Sequence, residues 1–361
     1  MTTTPHTTEA LVERLFGSIL ATLDVQAAYL GDRLGYYRAL AGTGGLTSSE
    51  LAARTDTAER YAREWLEQQA VTGILTVSRE TDVTMRRFTM PDGHVEPLTD
   101  VLSPNHVLPL ARLLVGVGKQ VDALVEAYRS GGGVTWAQHG ADVREAQAAA
   151  NRPLFLGALG EDYLPSVPEI DAALRGGGRV ADIGCGLGWS SIGIALAYPD
   201  ATVDGFDVDV PSIEAARRNA AETGVGDRVR FHAADAATVV TAAAEHDGYA
   251  LVAAFECIHD LSDPVSVLAT MRALTGQNGT VLVMDERVAE TFTAPGDDVE
   301  RLMYGYSLVC CLADAMAHQP SAGTGTVMRP ETLRRYAVAA GFVGIEVLGI
   351  EDDFFRFYRL V

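Results

Sequence analysis

The fold is decided by Val180-Ala181-Asp182-Ile183-Gly184-Cys185-Gly186-Leu187-Gly188, a short apolar run that leads into three glycines. The helical segment Trp189–Ala197 follows it. A glycine-rich turn between a strand and a helix lets a ligand approach the backbone, with amide N–H groups aimed at negative charge. The next predicted strand, Ala201–Phe206, ends in Asp207, and a carboxylate at that place can accept both hydroxyls of a ribose. The stretch therefore predicts a βαβ unit that binds a nucleotide-type cofactor.

The spacing of the glycines distinguishes two classes of cofactor. A dinucleotide-binding turn has the pattern GxGxxG, but here the third glycine arrives one residue early and Trp189 stands in its place. The observed pattern is GxGxG, and Asp182 precedes it on the strand. This resembles the first motif of class I S-adenosylmethionine-dependent methyltransferases. Binding of NAD, as in an oxidoreductase, is the alternative.

The rest of the second half repeats the pattern of an apolar strand followed by an acidic residue. These strands are Val229–Ala233 before Asp235, Tyr249–Phe255 before Glu256, and Thr280–Met284 before Asp285. A helix over Arg329–Ala340 and a strand pair, Gly344–Leu348 and Phe354–Arg359, end the chain. The resemblance covers residues 176–361. It implies an α/β fold with a Rossmann-like, seven-stranded mixed sheet, helices on both faces, and an antiparallel last hairpin.

The same resemblance implies a binding site for S-adenosylmethionine, with S-adenosylhomocysteine as the product. Asp182, Gly184 and Gly186 would surround the methionine end of the cofactor, with Cys185 as a small residue inside the turn. Asp207 would bind the ribose. The adenine and the remainder of the cofactor would contact Val208, Asp235, Ala236 and Phe255.

The segment His259-Asp260-Leu261-Ser262-Asp263 resembles the HDWSD segment of plant-type and bacterial small-molecule O-methyltransferases. In that family the histidine is the general base that takes a proton from a phenolic hydroxyl, a role that suits a neutral imidazole. The resemblance implies that Asp285 orients His259, with Glu286 as a second candidate. Leu261 replaces the usual tryptophan, and residues 325–329 lack the family's second acidic residue.

The acceptor side of the site is predicted from the long insertion Arg287–Thr326. Its segment Val299–Ala317 is apolar with helical spacing, which is typical of a lid over an acceptor and equally of core packing or a dimer face. Tyr304 and Tyr306 are placed to stack on an aromatic acceptor. Asn151, in a predicted connecting helix, is a further candidate for acceptor contact.

The first half of the chain predicts a winged-helix domain. Thr47 and Glu50 have capping-box spacing before a short helix, and a second helix is expected over 57–71. Strands at 74–77 and 86–90 would form the wing, with a turn at 91–93. The acidic second helix disfavours DNA binding and favours a domain for homodimerisation and substrate covering. We therefore expect a winged-helix-like domain over 1–150, including connecting helices, and a methyltransferase domain over 151–361.

Composition sets the limits on function. The chain has 361 residues, 28 basic and 48 acidic, for a net charge of −20. This charge repels nucleic acids and anionic membranes. The four cysteines show no metal-ligand spacing, so no metal is expected. Apolar stretches fall far short of the ~20 residues that span a bilayer, so we expect a soluble, cytoplasmic protein.

The predicted function is methyl transfer from S-adenosylmethionine to a hydroxyl of a small aromatic or polyketide-like molecule. An N- or C-methyltransferase acting on a small molecule is an alternative, because proximity and desolvation alone can drive transfer to other nucleophiles. Two further alternatives are a ligand-responsive winged-helix transcription regulator and a methyltransferase fold that binds the cofactor without transferring methyl.

Overall fold

The computed structural model of the protein describes residues 7–236 and 248–361. The chain divides into two compact units, Met1–Val115 and Gly116–Val361. The sequence prediction placed this division later, at residue 150. The difference arises because the helix Trp136–Leu156 packs closely on a helix of the second unit, and a Cβ added at Gly193 would lie 1.9 Å from the carbonyl oxygen of Phe155.

The first unit has the predicted winged-helix pattern. Its helices are Thr8–Arg33, Tyr36–Leu40, Ser48–Thr55, Glu59–Val71 and Asp92–Thr99. Its two short strands, β1 (Thr76–Val77) and β2 (Phe88–Thr89), pair antiparallel as the wing. The predicted capping box is present, because Thr47 and Glu50 exchange side-chain and backbone hydrogen bonds. The predicted turn at 91–93 is wrong, since Pro91 is the extended residue that precedes a helix beginning at Asp92.

The second unit is built on one mixed sheet, which has seven strands among the described residues. They are β3 (Arg179–Ile183), β4 (Thr202–Asp207), β5 (Val229–Ala233), β6 (Tyr249–Phe255), β7 (Thr275–Glu286), β8 (Ile345–Val347) and β9 (Phe355–Leu360). Their order across the sheet is β5-β4-β3-β6-β7-β9-β8, with β9 antiparallel to both of its neighbours. The predicted antiparallel hairpin at the end of the chain is confirmed.

Helices cover both faces of this sheet, so the predicted fold class is confirmed. From residue 108 onward the described helices are Leu108–Gly118, Val121–Ser130, Trp136–Leu156, Pro168–Arg175, Trp189–Ala197, Val210–Glu222, Pro264–Leu274, Asp298–Tyr306, Leu312–Ala317 and Pro330–Ala339, with π-helical turns at Leu159–Tyr163 and Ser307–Cys311. Successive strand residues point to opposite faces. Accordingly Leu251 and Ala253 lie in one buried cluster, whereas Val252 and Ala254 lie in the other.

Over 7–236 and 248–361, every helix is too short or too polar to cross a bilayer.

Candidate active site

The candidate site lies at the carboxyl ends of the parallel strands. The strand β3 has β4 on one side and β6 on the other, so the chain leaves the centre of the sheet in opposite directions at this point. Ligands of open α/β sheets bind in the crevice that such a reversal creates. The glycine turn follows β3, Asp207 ends β4, and the acidic residues after β6 and β7 lie at the same edge.

Two features of the turn require glycine: a left-handed backbone conformation and close packing against Cys257. Gly184 and Gly188 have φ values of 71° and 82°, which favour glycine. A Cβ on Gly184 would lie 2.7 Å from the Cys257 Sγ, so the turn tolerates no side chain there. A Cβ on Gly186 would meet no atom within 4 Å, so this residue faces the open crevice.

Asp207 ties the glycine turn to the next strand. Its Oδ2 accepts a hydrogen bond from the Gly186 N–H at 2.8 Å, and its Oδ1 accepts one from the Asp209 N–H at 2.8 Å. Each carboxylate oxygen can accept about two hydrogen bonds, so each keeps one acceptor position for a ligand. Burial raises the pKa of Asp207, and the two amide hydrogen bonds oppose that shift. Val208 beside it is largely exposed.

An ion pair that the sequence did not predict borders this position. The Arg144 guanidinium forms a bidentate contact with the Asp209 carboxylate, at 2.5 and 3.1 Å, and both side chains are nearly buried. Asp209 also caps the helix Val210–Glu222 by accepting from the Ser212 N–H. The sequence signals the cap, because aspartate stands just before a helix, but it does not signal the arginine 65 residues earlier.

Asp182, the predicted contact to the methionine end of the cofactor, is fully buried. Its Oδ2 accepts from the hydroxyls of Ser190 and Ser191, both at 2.6 Å, and fixes the start of the helix Trp189–Ala197. Burial raises its pKa to about 6. Asp182 therefore stabilises the glycine turn by hydrogen-bonding to the helix that follows it.

The other predicted cofactor residues differ in exposure. Asp235 is exposed and Ala236 is half-buried after β5, next to residues 237–247, which lie outside the described part of the chain. Cys185 is buried in the turn, and burial raises the pKa of its thiol. The side chain of Phe255 lies in the core, with its ring centroid 5.7 Å from that of Phe155.

His259 and Asp285 are brought together as predicted. The His259 Nδ1 lies 2.9 Å from the Asp285 Oδ1, and both side chains are buried. Glu286 Oε2 is 3.0 Å from the same nitrogen, and Asp260 Oδ1 is 3.1 Å from Nε2, both within ion-pair distance but without hydrogen-bond alignment. The segment that lacks the family's second acid contributes backbone instead, since the Gly325 N–H donates to the His259 carbonyl.

These carboxylates decide the charge of the imidazole. Burial alone would lower the pKa of His259, but Asp260, Asp285 and Glu286 together raise it well above its usual value. Burial also opposes ionisation of Asp285, yet the adjacent imidazolium keeps the pKa of this carboxyl low. Burial raises the pKa of Glu286, so this carboxyl ionises less readily than Asp285. A charged imidazole donates hydrogen bonds and cannot accept a proton.

Glu256 is a further residue of this cluster that the sequence marked only as a strand end. Its φ is 51°, a strained conformation for a residue with a side chain. Burial raises its pKa to about 8. Its carboxylate accepts from the Asn151 amide and, at 3.4 Å, from the Gln147 amide. Asn151, predicted to contact the acceptor, therefore holds Glu256 at the edge of the site.

Tyr304 and Tyr306, the two aromatic residues predicted to contact the acceptor, lie in different environments. Tyr304 is partly exposed and lies 3.4 Å from an Arg329 nitrogen that also pairs with Glu300. Tyr306 points inward, where burial raises its pKa to about 12 and Cys311 is a neighbour. Tyr306 therefore lies near the histidine cluster, because the Cys311 sulfur is within 4.8 Å of a donor atom of His259.

Potential metal ligands surround His259 in the described part of the chain. The donor atoms of His259, Asp260 and Cys311 lie within 4.8 Å of one another, and so do those of His259, Asp285 and Glu286.

The fold and the site define the class of this protein as a methyltransferase fold joined to a winged helix. Residues 174–321 match the family model of a methyltransferase domain, and residues 22–100 match that of an Rv2258c-like winged helix-turn-helix domain. The chain therefore carries a methyltransferase domain and a winged helix-turn-helix domain, as the sequence predicted.

Two curated relatives match parts of the chain. The 27-O-demethylrifamycin SV methyltransferase of Amycolatopsis mediterranei is 31% identical over 153 residues, which cover 42% of this chain and 55% of that protein. The release factor glutamine methyltransferase of Neisseria gonorrhoeae is 43% identical over 65 residues, covering 18% of this chain and 23% of that protein. The chain thus spans about a quarter to about half of the length of these relatives.

Solved structures match the whole chain. The mitomycin 7-O-methyltransferase MmcR has a TM-score of 0.70 at 20% identity, with 98% of both chains covered. NcsB1 from neocarzinostatin biosynthesis, solved with S-adenosyl-L-homocysteine and 1,4-dihydroxy-2-naphthoic acid, has a TM-score of 0.62 at 17% identity, with 94% of this chain and 95% of that chain covered. At these identities the likeness shows the fold.

Proposed function

We propose that this protein transfers the methyl group of S-adenosylmethionine to a hydroxyl of a small aromatic or polyketide-like molecule. The proposal is carried by one observation: a glycine turn with an adjoining carboxylate, and a buried histidine between carboxylates, lie at one edge of the sheet. The names of the similar proteins support it, since several of them methylate oxygen in small molecules.

The residues present fit the cofactor. The open face of Gly186 allows close approach of a ligand to the backbone, and the two free acceptor positions of Asp207 suit the two hydroxyls of a ribose. S-adenosylmethionine, when bound, supplies a methyl group on a positively charged sulfur. The carboxylate of Asp207 favours a cation at this edge of the sheet.

His259 has a defined part in this proposal. Asp285 holds Nδ1, and Nε2 faces Asp260, so an acceptor oxygen reaches Nε2 by displacing the Asp260 carboxylate. The charged imidazole then donates a hydrogen bond to that oxygen and stabilises its anionic form. The general-base role predicted for His259 needs a neutral imidazole, which the protein provides only above the raised pKa of this residue.

The regulator alternative has no support in the charges of the first unit. The helix Glu59–Val71 is the one that would read DNA, and its Arg60 and Arg63 each lie within ion-pair distance of a glutamate. Arg86 is paired in the same way with Glu67 of this helix. Paired arginines offer little attraction to DNA phosphates.

The first test is calorimetric titration with S-adenosylmethionine, S-adenosylhomocysteine and NAD, followed by mass spectrometry of reactions with 1-naphthol and 1-naphthylamine. We expect micromolar binding of the first two ligands and a methyl ether of 1-naphthol. Methylation of the amine alone would establish N-methyl transfer instead. Binding without any product would establish a fold that binds the cofactor only, and binding of NAD alone would overturn the proposal.

We also propose that the first unit pairs with a second copy of the chain. The helix Thr8–Arg33 carries a stripe of apolar side chains that are 48–60% exposed: Leu11, Val12, Leu15, Phe16, Ile19, Leu20 and Leu23. A continuous apolar surface of this kind marks an interface, and the same stripe on two copies is self-complementary about a two-fold axis. Phe16→Glu with Leu23→Glu should yield a monomer in sedimentation, whereas Glu13→Gln on the same helix should not; an unchanged mass would refute the pairing.

A further inference from the structure

The carboxylate predicted to receive the methionine end of the cofactor is not available to a ligand. Asp182 is fully buried, and its Oδ2 accepts hydrogen bonds from the hydroxyls of Ser190 and Ser191. The methionine end carries a positively charged ammonium group, and burying such a group without a partner is costly. A different acceptor at the edge of the crevice is therefore required.

Glu256 is the carboxylate beside the glycine turn on the β6 side. The strands β3 and β6 are parallel neighbours with Ile183 opposite Ala254, so the residues that follow each of them also lie side by side. A Cβ on Gly184 would lie 2.8 Å from the Cβ of Cys257, so the turn packs directly against the residue after Glu256. Glu256 therefore lies at the same edge of the crevice as the glycine turn.

The helix Trp136–Leu156 crosses this crevice. On the β4 side its Arg144 pairs with Asp209, and on the β6 side its Asn151 donates a hydrogen bond to Glu256. From Arg144 to Asn151 the helix rises about 10.5 Å, and β4 and β6 lie two strand spacings, about 9.6 Å, apart. Because the two lengths agree, the helix lies across the carboxyl end of β3, with a carboxylate bound on each side.

One oxygen of the Glu256 carboxylate remains available to a ligand. Asn151 and Gln147, one helical turn apart, both donate to Oε2, Gln147 at 3.4 Å. The side chain is half-buried, so Oε1 can accept a hydrogen bond from a group in the crevice. Glu256 also has a left-handed φ of 51°, and strained residues of this kind cluster at functional sites. The backbone conformation and the two amides together fix the direction of the carboxylate.

A cationic ligand group suits this carboxylate. Burial raises the pKa of Glu256, so its ionised form is unfavourable while it lacks a cationic partner. His259 attracts the negative charge, whereas Asp285 and Asp260 repel it. An ammonium group within hydrogen-bond distance favours the ionised form, and charge-assisted hydrogen bonds are stronger than neutral ones.

We infer that Glu256 accepts a hydrogen bond from the ammonium group at the methionine end of S-adenosylmethionine and S-adenosylhomocysteine, and so selects ligands that carry this group. The inference rests on the proposed function. A cofactor that binds Asp207 on β4 through its ribose and Glu256 on β6 through its ammonium group extends across the end of β3, where the glycine turn lies. Asn151 and Gln147 are positioning residues, because they act through the carboxylate that they hold.

The test is calorimetric titration of wild type, Glu256→Gln and Glu222→Gln with two ligands. One ligand is S-adenosylhomocysteine, and the other is its deamino analogue, in which hydrogen replaces the amino group. Glu222 is an exposed glutamate and supplies the matched control. We expect wild type and Glu222→Gln to bind S-adenosylhomocysteine at least tenfold more tightly than the analogue, a difference of about 1.4 kcal/mol. Glu256→Gln should bind S-adenosylhomocysteine at least tenfold more weakly than wild type and the analogue within threefold of wild type.

Wild type alone already decides against the inference if it binds the two ligands within threefold of each other. A Glu256→Gln protein that binds S-adenosylhomocysteine within threefold of wild type overturns it as well. An equal loss of affinity for both ligands means that Glu256 only shapes the crevice, which is also a refutation. Thermal melting establishes that the variant is folded, and Glu256→Asp, which retracts the carboxylate by one methylene, is the second variant and should show the same selective loss.

Failure of the inference is distinguishable from failure of the proposed function, because the readout is binding. If wild type binds S-adenosylhomocysteine and forms no methylated product from S-adenosylmethionine and 1-naphthol, the proposed transfer fails and the selective loss in Glu256→Gln still supports the inference. If wild type binds neither S-adenosylmethionine nor S-adenosylhomocysteine, both are overturned.

Discussion

Replacing Asp207 by alanine tests the cofactor site most directly. Each oxygen of this carboxylate accepts one amide hydrogen bond in the protein and keeps one position free. In the proposed complex these positions take two ribose hydroxyls. A hydrogen bond to a charged group is worth about 1.5–3 kcal/mol, so losing two of them costs at least about 3 kcal/mol. At 1.4 kcal/mol per factor of ten, affinity for S-adenosylmethionine falls by more than about 100-fold.

The assay is calorimetric titration of wild type, Asp207→Ala and Asp200→Ala with S-adenosylmethionine and S-adenosylhomocysteine. Asp207 is the last residue of β4, whereas Asp200 is exposed just before the first residue of that strand. Asp200→Ala therefore controls for the loss of one negative charge near β4. Thermal melting of the ligand-free proteins establishes that each variant is folded. A folded Asp207→Ala protein that binds either ligand within threefold of wild type would refute the reasoning.

Three other changes have defined expected outcomes. Arg144→Ala leaves the buried Asp209 carboxylate unpaired, so we expect a loss of about 3 kcal/mol and a Tm lower by roughly 10 °C in calorimetry; an unchanged Tm would contradict this. His259 has a raised folded pKa, so its stabilising contribution is complete below its unfolded pKa and is lost as pH rises through the folded value. Asp285→Asn should lower the pKa of His259 in a resonance titration and weaken this alkaline loss of stability, and an unshifted titration would count against the pair. Asp56 has a left-handed backbone conformation at the end of the helix Ser48–Thr55, and Asp56→Gly removes the strain that this conformation imposes on a residue with a side chain. The free energy of unfolding in urea should rise by about 0.5–1 kcal/mol, whereas a decrease would show that the Asp56 side chain stabilises the protein.

Sequence reasoning predicted those parts of the site that follow from the alternation of strands and helices. Parallel strands end at one edge of a sheet, so residues just beyond their ends converge. His259 follows β6 and Asp285 lies near the end of β7, so this rule made the contact that the family resemblance implied geometrically plausible. The glycine turn and Asp207 were equally predictable, because both depend on local sequence.

The parts that sequence reasoning missed depend on side chains from distant segments. Arg144 meets Asp209 because a helix crosses the sheet edge at a particular angle, and no local pattern encodes that angle. Likewise the charge of His259 depends on how many carboxylates converge on one buried ring, which is a property of packing. The sequence also does not assign the helix Trp136–Leu156 to a unit, since its amphipathic pattern does not say which core it joins.

The position of β9 has a consequence for synthesis of the protein. This strand lies between β7 and β8, and it pairs Arg356 with Asp285 and Phe355 with Glu286. The strand β7, which carries Asp285 and Glu286, therefore lacks one of its two neighbours until residues 355–360 have been synthesised. The winged helix and the glycine turn precede these residues in the chain, so the first unit can fold while the sheet edge beside His259 is still incomplete. Completion of the sheet edge beside His259 therefore follows the synthesis of β9.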